Sequence, residues 1–341
     1  MEEYKHLASY YEIDKDTKKI HCYLCPHHCK IAAGKLGICK VRQNINNKLY
    51  TWNYNKVSAL NFDPVEKKPF YHFFPGKQVL SIGGVGCNLK CSFCQNCDIS
   101  QVDPTSFTYY KEISSDNIIE MMEINKANIG VAYTYNEPTI WAEFLIEIAE
   151  KVKMRGKQNV MVTNGYIDPT PLNDLIELID GFNVDLKAFN EDFYKKTTAS
   201  SLTPVKESLR AISKSNAHLE ITHLVIPNLN DDIEEFKSMV NWIAGELGSD
   251  SILHLSRYFP RYQSHEAETP LETLSRFFEI AKEKIDHVYL GNTGSLVEGK
   301  DTLCPNCNAL NISRKGYIAE SIRLNQNGNC SKCGKKIAIL H

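Results

Sequence analysis

Residues 79–100 read VLSIGGVGCNLKCSFCQNCDIS. The stretch opens as a short apolar run and breaks at Gly83, Gly84 and Gly86, the pattern of a buried parallel strand passing into a loop. On that loop Cys87, Cys91 and Cys94 follow C-x3-C-x2-C spacing. Three thiolates on one tight loop can hold three corners of an iron–sulfur cubane and leave the fourth iron open to a small ligand. An open coordination position is what separates a catalytic metal centre from a closed structural one. Cys97 stands a further C-x2-C step along, and spacing alone permits it to close the site; we read it instead as a packed thiol, the common state of an unreactive cysteine.

The same texture repeats downstream. Short apolar runs recur as IGVAYTY at 129–135, NVMVTNG at 159–165, GFNVDLK at 181–187, HLEITHLVI at 218–226, SILHLSRYF at 251–259 and HVYLGN at 287–292. Between them lie segments of helical periodicity: TIWAEFLIEIAEKVKMRG stops at Gly156, and DDIEEFKSMVNWIAGELG starts on an acidic cap and stops at Gly248. Strands alternating with helices predict parallel β/α units, and six or seven of them bend into an open barrel. The fold class is therefore α/β: a partial (β/α)6-type barrel over 79–299, preceded by a cysteine-rich leader at 1–78 and followed by a ribbon-like four-cysteine module at 300–341. In such a fold the chemistry gathers in the loops after the strands. Asn136 and Glu137, Asn164, Asp185 and Lys187, then Pro227, Asn228 and Asn230, and finally Arg257 all fall there. Glu137 before Pro138 also suits a helix cap, and Asp185 with Lys187 also suits a plain ion pair. His223 and His254, inside strands, read as core histidines rather than ligands.

Composition narrows the rest. With 43% hydrophobic residues the 341-residue chain can build a sizeable core, and its net charge of -2 gives no reason to expect nucleic acid. No apolar run is long enough to span a membrane, and the acidic start MEEYKHLASYYEIDKD lacks a signal-peptide core, so the expected location is cytoplasmic. The twelve cysteines fall into three groups at ligand spacing, which argues for metal sites over disulfides. Cys304, Cys307, Cys330 and Cys333 form two C-x2-C knuckles, a tetrahedral site for zinc, with a rubredoxin-like iron as the alternative. Cys22, Cys25, Cys29 and Cys39 form the leader group; four thiolates accept zinc or an auxiliary cluster, and spacing does not decide between them. His27 and His28 read as exposed.

The three-cysteine loop with aromatic Phe93, placed after the first barrel strand, resembles the signature of the radical S-adenosylmethionine (SAM) superfamily. EKKPFYHFFPGK, YTYNEPT, VTNGY, VDLKAF and HLVIPNLND extend the likeness to its pyruvate formate-lyase-activating-enzyme branch. The leader CYLCPHHCKIAAGKLGICKVRQN and the tail with its two knuckles are similar to the radical SAM member of the AmmeMemoRadiSam system. The resemblance implies a [4Fe-4S] cluster on Cys87, Cys91 and Cys94, with S-adenosylmethionine on its open iron. It implies Phe93 near the adenine, and Asn136 and Glu137, after Tyr135, where the family has Gly-Gly-Glu for the SAM amino group. The two glycines are absent here, which weakens the assignment most at Tyr135. Asn164, Asp185 and Lys187 would serve the ribose and carboxylate. A tryptophan is more usual where Cys97 stands. Implied partners are an electron donor such as flavodoxin or ferredoxin, and Memo-like and AMMECR-like proteins.

Function then divides three ways. A radical SAM oxidoreductase-like enzyme would abstract hydrogen from a small organic substrate. A glycyl-radical-enzyme activase would act on a partner protein; the absence of cysteines just after Cys97, where related activases carry a ferredoxin-like insert, speaks mildly against it. A non-catalytic zinc-ribbon protein would leave the open three-cysteine site without a purpose.

Overall fold

The computed structural model describes residues 6–102, 107–294 and 298–340. Eight strands lie side by side in chain order: β1 (Ala59–Pro64), β2 (Gln78–Gly83), β3 (Asn128–Tyr133), β4 (Gln158–Thr163), β5 (Gly181–Asp185), β6 (His218–Val225), β7 (Ile252–Arg257) and β8 (His287–Gly291). From β2 to β8 all neighbours are parallel, whereas β1 runs antiparallel along β2. Six helices make the crossovers that parallel strands require: α1 (Ser115–Ile124), α2 (Ala142–Met154), α3 (Pro169–Ile176), α4 (Leu202–Ser213), α5 (Ile233–Glu246) and α6 (Leu271–Lys282). Strands β1 and β8 stay unpaired with each other, so the sheet is an open, partial barrel of six β/α units and a closing strand.

Local chemistry sets these elements. Asp232 caps α5 by accepting from Glu235 N at 2.8 Å, and Phe236 of α5 stacks on Phe277 of α6 with centroids 4.0 Å apart. Along β3 the register against β2 shifts between Asn128 and Val131, and the Asn128 carboxamide fills the gap by accepting from Leu80 N at 3.0 Å. At Gly130 a Cβ would stand 1.8 Å from Gln158 O, so only glycine lets β3 and β4 pair there.

The aromatic segment 69–74 forms the floor of the barrel. Glu220, fully buried on β6, accepts from Tyr71 N and His72 N at 2.9 and 2.8 Å and from His218 Nε2 at 2.9 Å, and pairs with His254. Burial raises the Glu220 pKa, but the bonds from His218 and His254 outweigh it and hold the carboxyl well below its usual range. A buried carboxylate costs several kcal/mol unless it is compensated in this way. The expectation for His254 holds: it is buried against Glu220. His223 is also buried, with Nδ1 on Leu186 O at 2.9 Å.

The C-terminal ribbon, β9 (Thr302–Leu303), β10 (Leu310–Lys315) and β11 (Ile318–Ser321), covers the same floor. Arg314 donates to Tyr71 O at 2.6 Å and lies 4.1 Å over the Tyr71 ring, while Ile339 N reaches His72 O at 2.8 Å. Its four cysteine sulfurs all lie within 4.8 Å of one another, the arrangement of a single-ion site. At the other end of the chain two small three-stranded sheets carry the leader, docked through buried Arg42, which donates to both Glu143 oxygens at 2.6 and 2.8 Å. Among the described residues no helix is long and apolar enough to cross a membrane.

Candidate active site

A cavity of about 480 Å³ opens at the C-terminal ends of the parallel strands, where the crossover loops begin. Cys87, Cys91 and Cys94 line one side, all contributed by the loop after β2. Two features shape that loop. Gly86 is left-handed (φ +91°), and a Cβ there would meet Val41 Cγ1 at 2.9 Å. Asn136 holds the loop from the next strand end, accepting from Gly84 N at 3.0 Å and donating to Gly86 O at 2.8 Å. Leu89 N points at Cys87 Sγ (3.3 Å), and Cys94 Sγ lies 3.0 Å from Ser100 Oγ. Burial, with Glu137 and the neighbouring thiols adding to it, pushes the Cys87 thiol well up. A set of three thiols converging on an open cavity fits a three-ligand cluster, whereas a closed site would need a fourth.

Glu137 is buried and lines the same cavity. It caps the 3-10 turn Pro138–Trp141, with Oε1 accepting from Thr139 N (3.0 Å), Thr139 Oγ1 (2.6 Å) and Thr163 Oγ1 (2.8 Å). Its Oε2 accepts from Asn164 N alone (2.8 Å) and keeps acceptor capacity. Burial raises its pKa against these hydrogen bonds. The Asn164 side chain donates to Asn88 Oδ1 (2.8 Å) and accepts from Tyr166 N (2.9 Å), so it braces the residue next to Cys87. Asp185 and Lys187 pair at 2.9 Å beside the cysteine loop, the Lys187 ammonium 5.9 Å from the ring of buried Phe93. Burial pulls the Lys187 pKa down, but Asp185 and Cys91 more than offset it and the net shift is upward. Arg257 also lines the cavity, tied to Thr269 O and Glu268 at 2.8 and 2.9 Å. Asn230 stands outside it, donating to Lys187 O and Leu224 O to fix the loop after β6.

Two expectations change. Cys97 is no packed thiol: it heads the short helix Cys97–Ser100, partly exposed, and does not line the cavity. The helical turn carries its side chain off the cavity side of the loop. His27 is not exposed but half-buried, its Nε2 2.8 Å from Asn88 O, because the leader packs on the cysteine loop; His28 is exposed and meets Asp168 at 3.0 Å.

Sequence reasoning missed one wall. Lys67 and Lys68, from the run before the barrel floor, line the cavity and pair with Asp63 of β1 at 2.8 and 2.6 Å. Tyr135 OH donates to the same carboxylate at 2.7 Å, and the Lys68 ammonium sits 4.5 Å from its ring. The signal was the paired lysines inside an otherwise aromatic stretch. A second cleft, about 380 Å³, lies at the opposite end of the strands beside His72, His218 and His287, and no thiol lines it.

Comparison with known proteins agrees with this geometry. The Radical SAM superfamily model matches residues 81–243. An uncharacterized protein of Methanocaldococcus jannaschii is 40% identical over 98% of this chain and 99% of its own length. The pyruvate formate-lyase-activating enzyme of Clostridium pasteurianum is 24% identical over 46% of this chain and 66% of its own, and pyruvate formate-lyase 1-activating enzyme of Escherichia coli K12 is 23% identical over 43% and 61%. Both activating enzymes are thus matched over less than two thirds of their length. Among solved structures, SuiB of Streptococcus suis with S-adenosylmethionine bound superposes with a TM-score of 0.50 at 11% identity, covering 69% of this chain and 53% of that one. A radical SAM methyltransferase from Sphaerobacter thermophilus gives 0.50 at 14%, covering 64% and 67%. At those identities the likeness is one of fold.

Proposed function

We propose that this chain is a radical SAM enzyme, one that reductively cleaves S-adenosylmethionine and abstracts hydrogen from a small organic substrate. The observation that carries the reading is the meeting of Cys87, Cys91 and Cys94 on one loop at the mouth of the strand-end cavity. When bound, a [4Fe-4S] cluster and S-adenosylmethionine supply one-electron cleavage of a sulfonium C–S bond and a 5′-deoxyadenosyl radical. Cys87, Cys91 and Cys94 would hold the cluster. Glu137 Oε2 would accept from the SAM amino group, Asp185 and Lys187 would meet the ribose and carboxylate, and Phe93 would pack against the adenine. Asn136 and Asn164 act as positioning residues, one holding the Gly84–Gly86 turn and the other bracing Asn88. The ribbon thiols would bind zinc.

The similarity to activating enzymes favours a second reading, a glycyl-radical activase whose substrate is a partner protein. Under either reading the electron donor is of the flavodoxin or ferredoxin kind, the setting is cytoplasmic, and Memo-like and AMMECR-like proteins are the partners to try first. Anaerobic reconstitution tests the common core: reductant-dependent formation of 5′-deoxyadenosine is expected, and replacing Cys87, Cys91 and Cys94 together with alanine abolishes it. Full-rate cleavage by the triple variant would refute the assignment. Adding small-molecule pools and partner proteins separately then shows which of them accelerates turnover.

A further inference from the structure

We propose that Cys22, Cys25, Cys29 and Cys39 hold a second [4Fe-4S] cluster, ligated by four protein thiolates and closed to small ligands. The chain supplies its own reference for a single-ion site. In the ribbon the four sulfurs all lie within 4.8 Å of one another, with Cys304 and Cys333 at 3.4 Å and Cys307 and Cys330 at 3.7 Å. Among the described residues no other three thiol, imidazole or carboxylate ligand atoms are gathered that closely. Neither the leader cysteines nor Cys87, Cys91 and Cys94 are gathered that closely; each set instead borders a common cavity. One bound ion needs sulfurs near contact, each about 2.3 Å from the metal. A cubane, whose irons sit at its corners, spreads its thiolates around a larger body.

The four leader thiols line one small cavity, with Leu24, Ile31, Ile38 and Ile140 as its apolar walls. Backbone N–H groups of His27, Ile38 and Val41 point at Cys25, Cys29 and Cys39 respectively. Arg42 supplies an independent sign of a ligand. The residue is 1% exposed and borders the same cavity; its terminal nitrogens bind Ser9 O and Glu143, yet its Nε–H is buried and has no partner. A buried guanidinium donor left unmatched is costly, and a sulfur-rich anion in the cavity provides the acceptor. All twelve cysteines are free, so no disulfide consumes the set.

The position is also specific. Cys39 and Cys87 line one cleft, and a Cβ at Gly86 would touch Cys39 O at 3.2 Å, so the leader lies directly against the catalytic cysteine loop. That neighbourhood, though not the four-thiol site itself, rests on the reading of Cys87, Cys91 and Cys94 given above.

The full chain, purified and reconstituted without oxygen, decides the matter by its metal and sulfide content. Two cubanes and one ribbon zinc predict about eight labile sulfides and about one zinc per chain. About four sulfides with about two zincs would overturn the proposal. In the reduced protein, S-adenosylmethionine should change one electron-paramagnetic-resonance signal and leave a second untouched, because the second cluster has no open iron; a single signal overturns the proposal. Replacing Cys22 and Cys29 with alanine should halve the sulfide and remove only the SAM-insensitive signal; unchanged sulfide overturns it. The Cys87, Cys91 and Cys94 triple variant separates the two readings. It should keep about four sulfides and the SAM-insensitive signal even though cleavage is lost.

Discussion

Glu137→Gln isolates a capping carboxylate from a ligand-binding one. The side chain keeps its shape, and its amide oxygen can still accept from Thr139 N, Thr139 Oγ1 and Thr163 Oγ1, the three donors now on Oε1. The change falls on Oε2, which becomes an NH2 group facing Asn164 N at 2.8 Å, donor against donor. A hydrogen bond to a charged group contributes about 1.5–3 kcal/mol, so the fold should lose roughly that much stability. If Oε2 also receives the amino group of S-adenosylmethionine, the same range is lost again from binding. At about 1.4 kcal/mol per tenfold, the dissociation constant should rise roughly 10- to 150-fold. Iron content should stay at the wild-type level, since Glu137 is no thiolate neighbour by hydrogen bond. Isothermal titration of the reconstituted protein with S-adenosylmethionine, beside a thermal melt, separates the outcomes. A lower melting temperature with affinity unchanged within twofold would show that Glu137 is only a cap.

Two further outcomes follow from buried groups and from the cysteine loop. Burial pushes His223 and His287 down to about 4 from an ordinary 6.5, so below pH 6.5 the unfolded chain binds protons that the folded chain refuses. Stability therefore falls as pH drops through 6.5 and levels off below about 4, each histidine removing about 2 kcal/mol by pH 5; denaturant melts at pH 7 and 5 should show the loss shrink by that amount in His223→Gln, and an unaltered pH slope would refute the assignment. Cys97→Ser should leave iron content and SAM cleavage at wild-type levels, because Cys97 is partly exposed and off the cavity; cluster loss in that variant would make it a ligand.

The parallel strands were legible because each is a short apolar run that ends in the polar or glycine residues of a crossover loop, and the helices because their caps, such as Asp232, stand in the sequence. Strand β1 was not legible. ALNFDP is exposed at Asn61 and Phe62 and buried at Asp63, the reverse of the alternation that marks a half-buried strand. The cysteine loop was legible from spacing alone, since ligand geometry is local. The cavity wall of Lys67, Lys68 and Asp63 was not, because charges next to a turn read as solvated until β1 is known to lie beside them. Asn136 and Asn164 were legible as strand-end polar groups. Their bracing of Gly84, Gly86 and Asn88 needed the loop's path, which depends on contacts between distant residues.

Those contacts join the two ends of the barrel. A carboxylate in the floor is not the most stable filling, since apolar side chains of similar volume commonly pack as well or better than buried charges. What Glu220 provides is direction. By taking Tyr71 N and His72 N it fixes the height and register of segment 69–74 inside the barrel, and Asn183 Nδ2 on Pro69 O at 2.8 Å fixes its first residue. Lys68 directly precedes the anchored Pro69, and its buried ammonium meets Asp63 at the cavity. A shift of the floor by one residue would put Lys67 or Pro69 in the buried position of Lys68. The ribbon clamps the same segment from below through Arg314 on Tyr71 O and Ile339 on His72 O. The four-cysteine ribbon at the bottom and the lysine wall at the top are thus ends of one strut. Loosening of the ribbon should reach the cavity first at Lys68, ahead of the cysteine loop, which hangs from Asn136 and the leader instead.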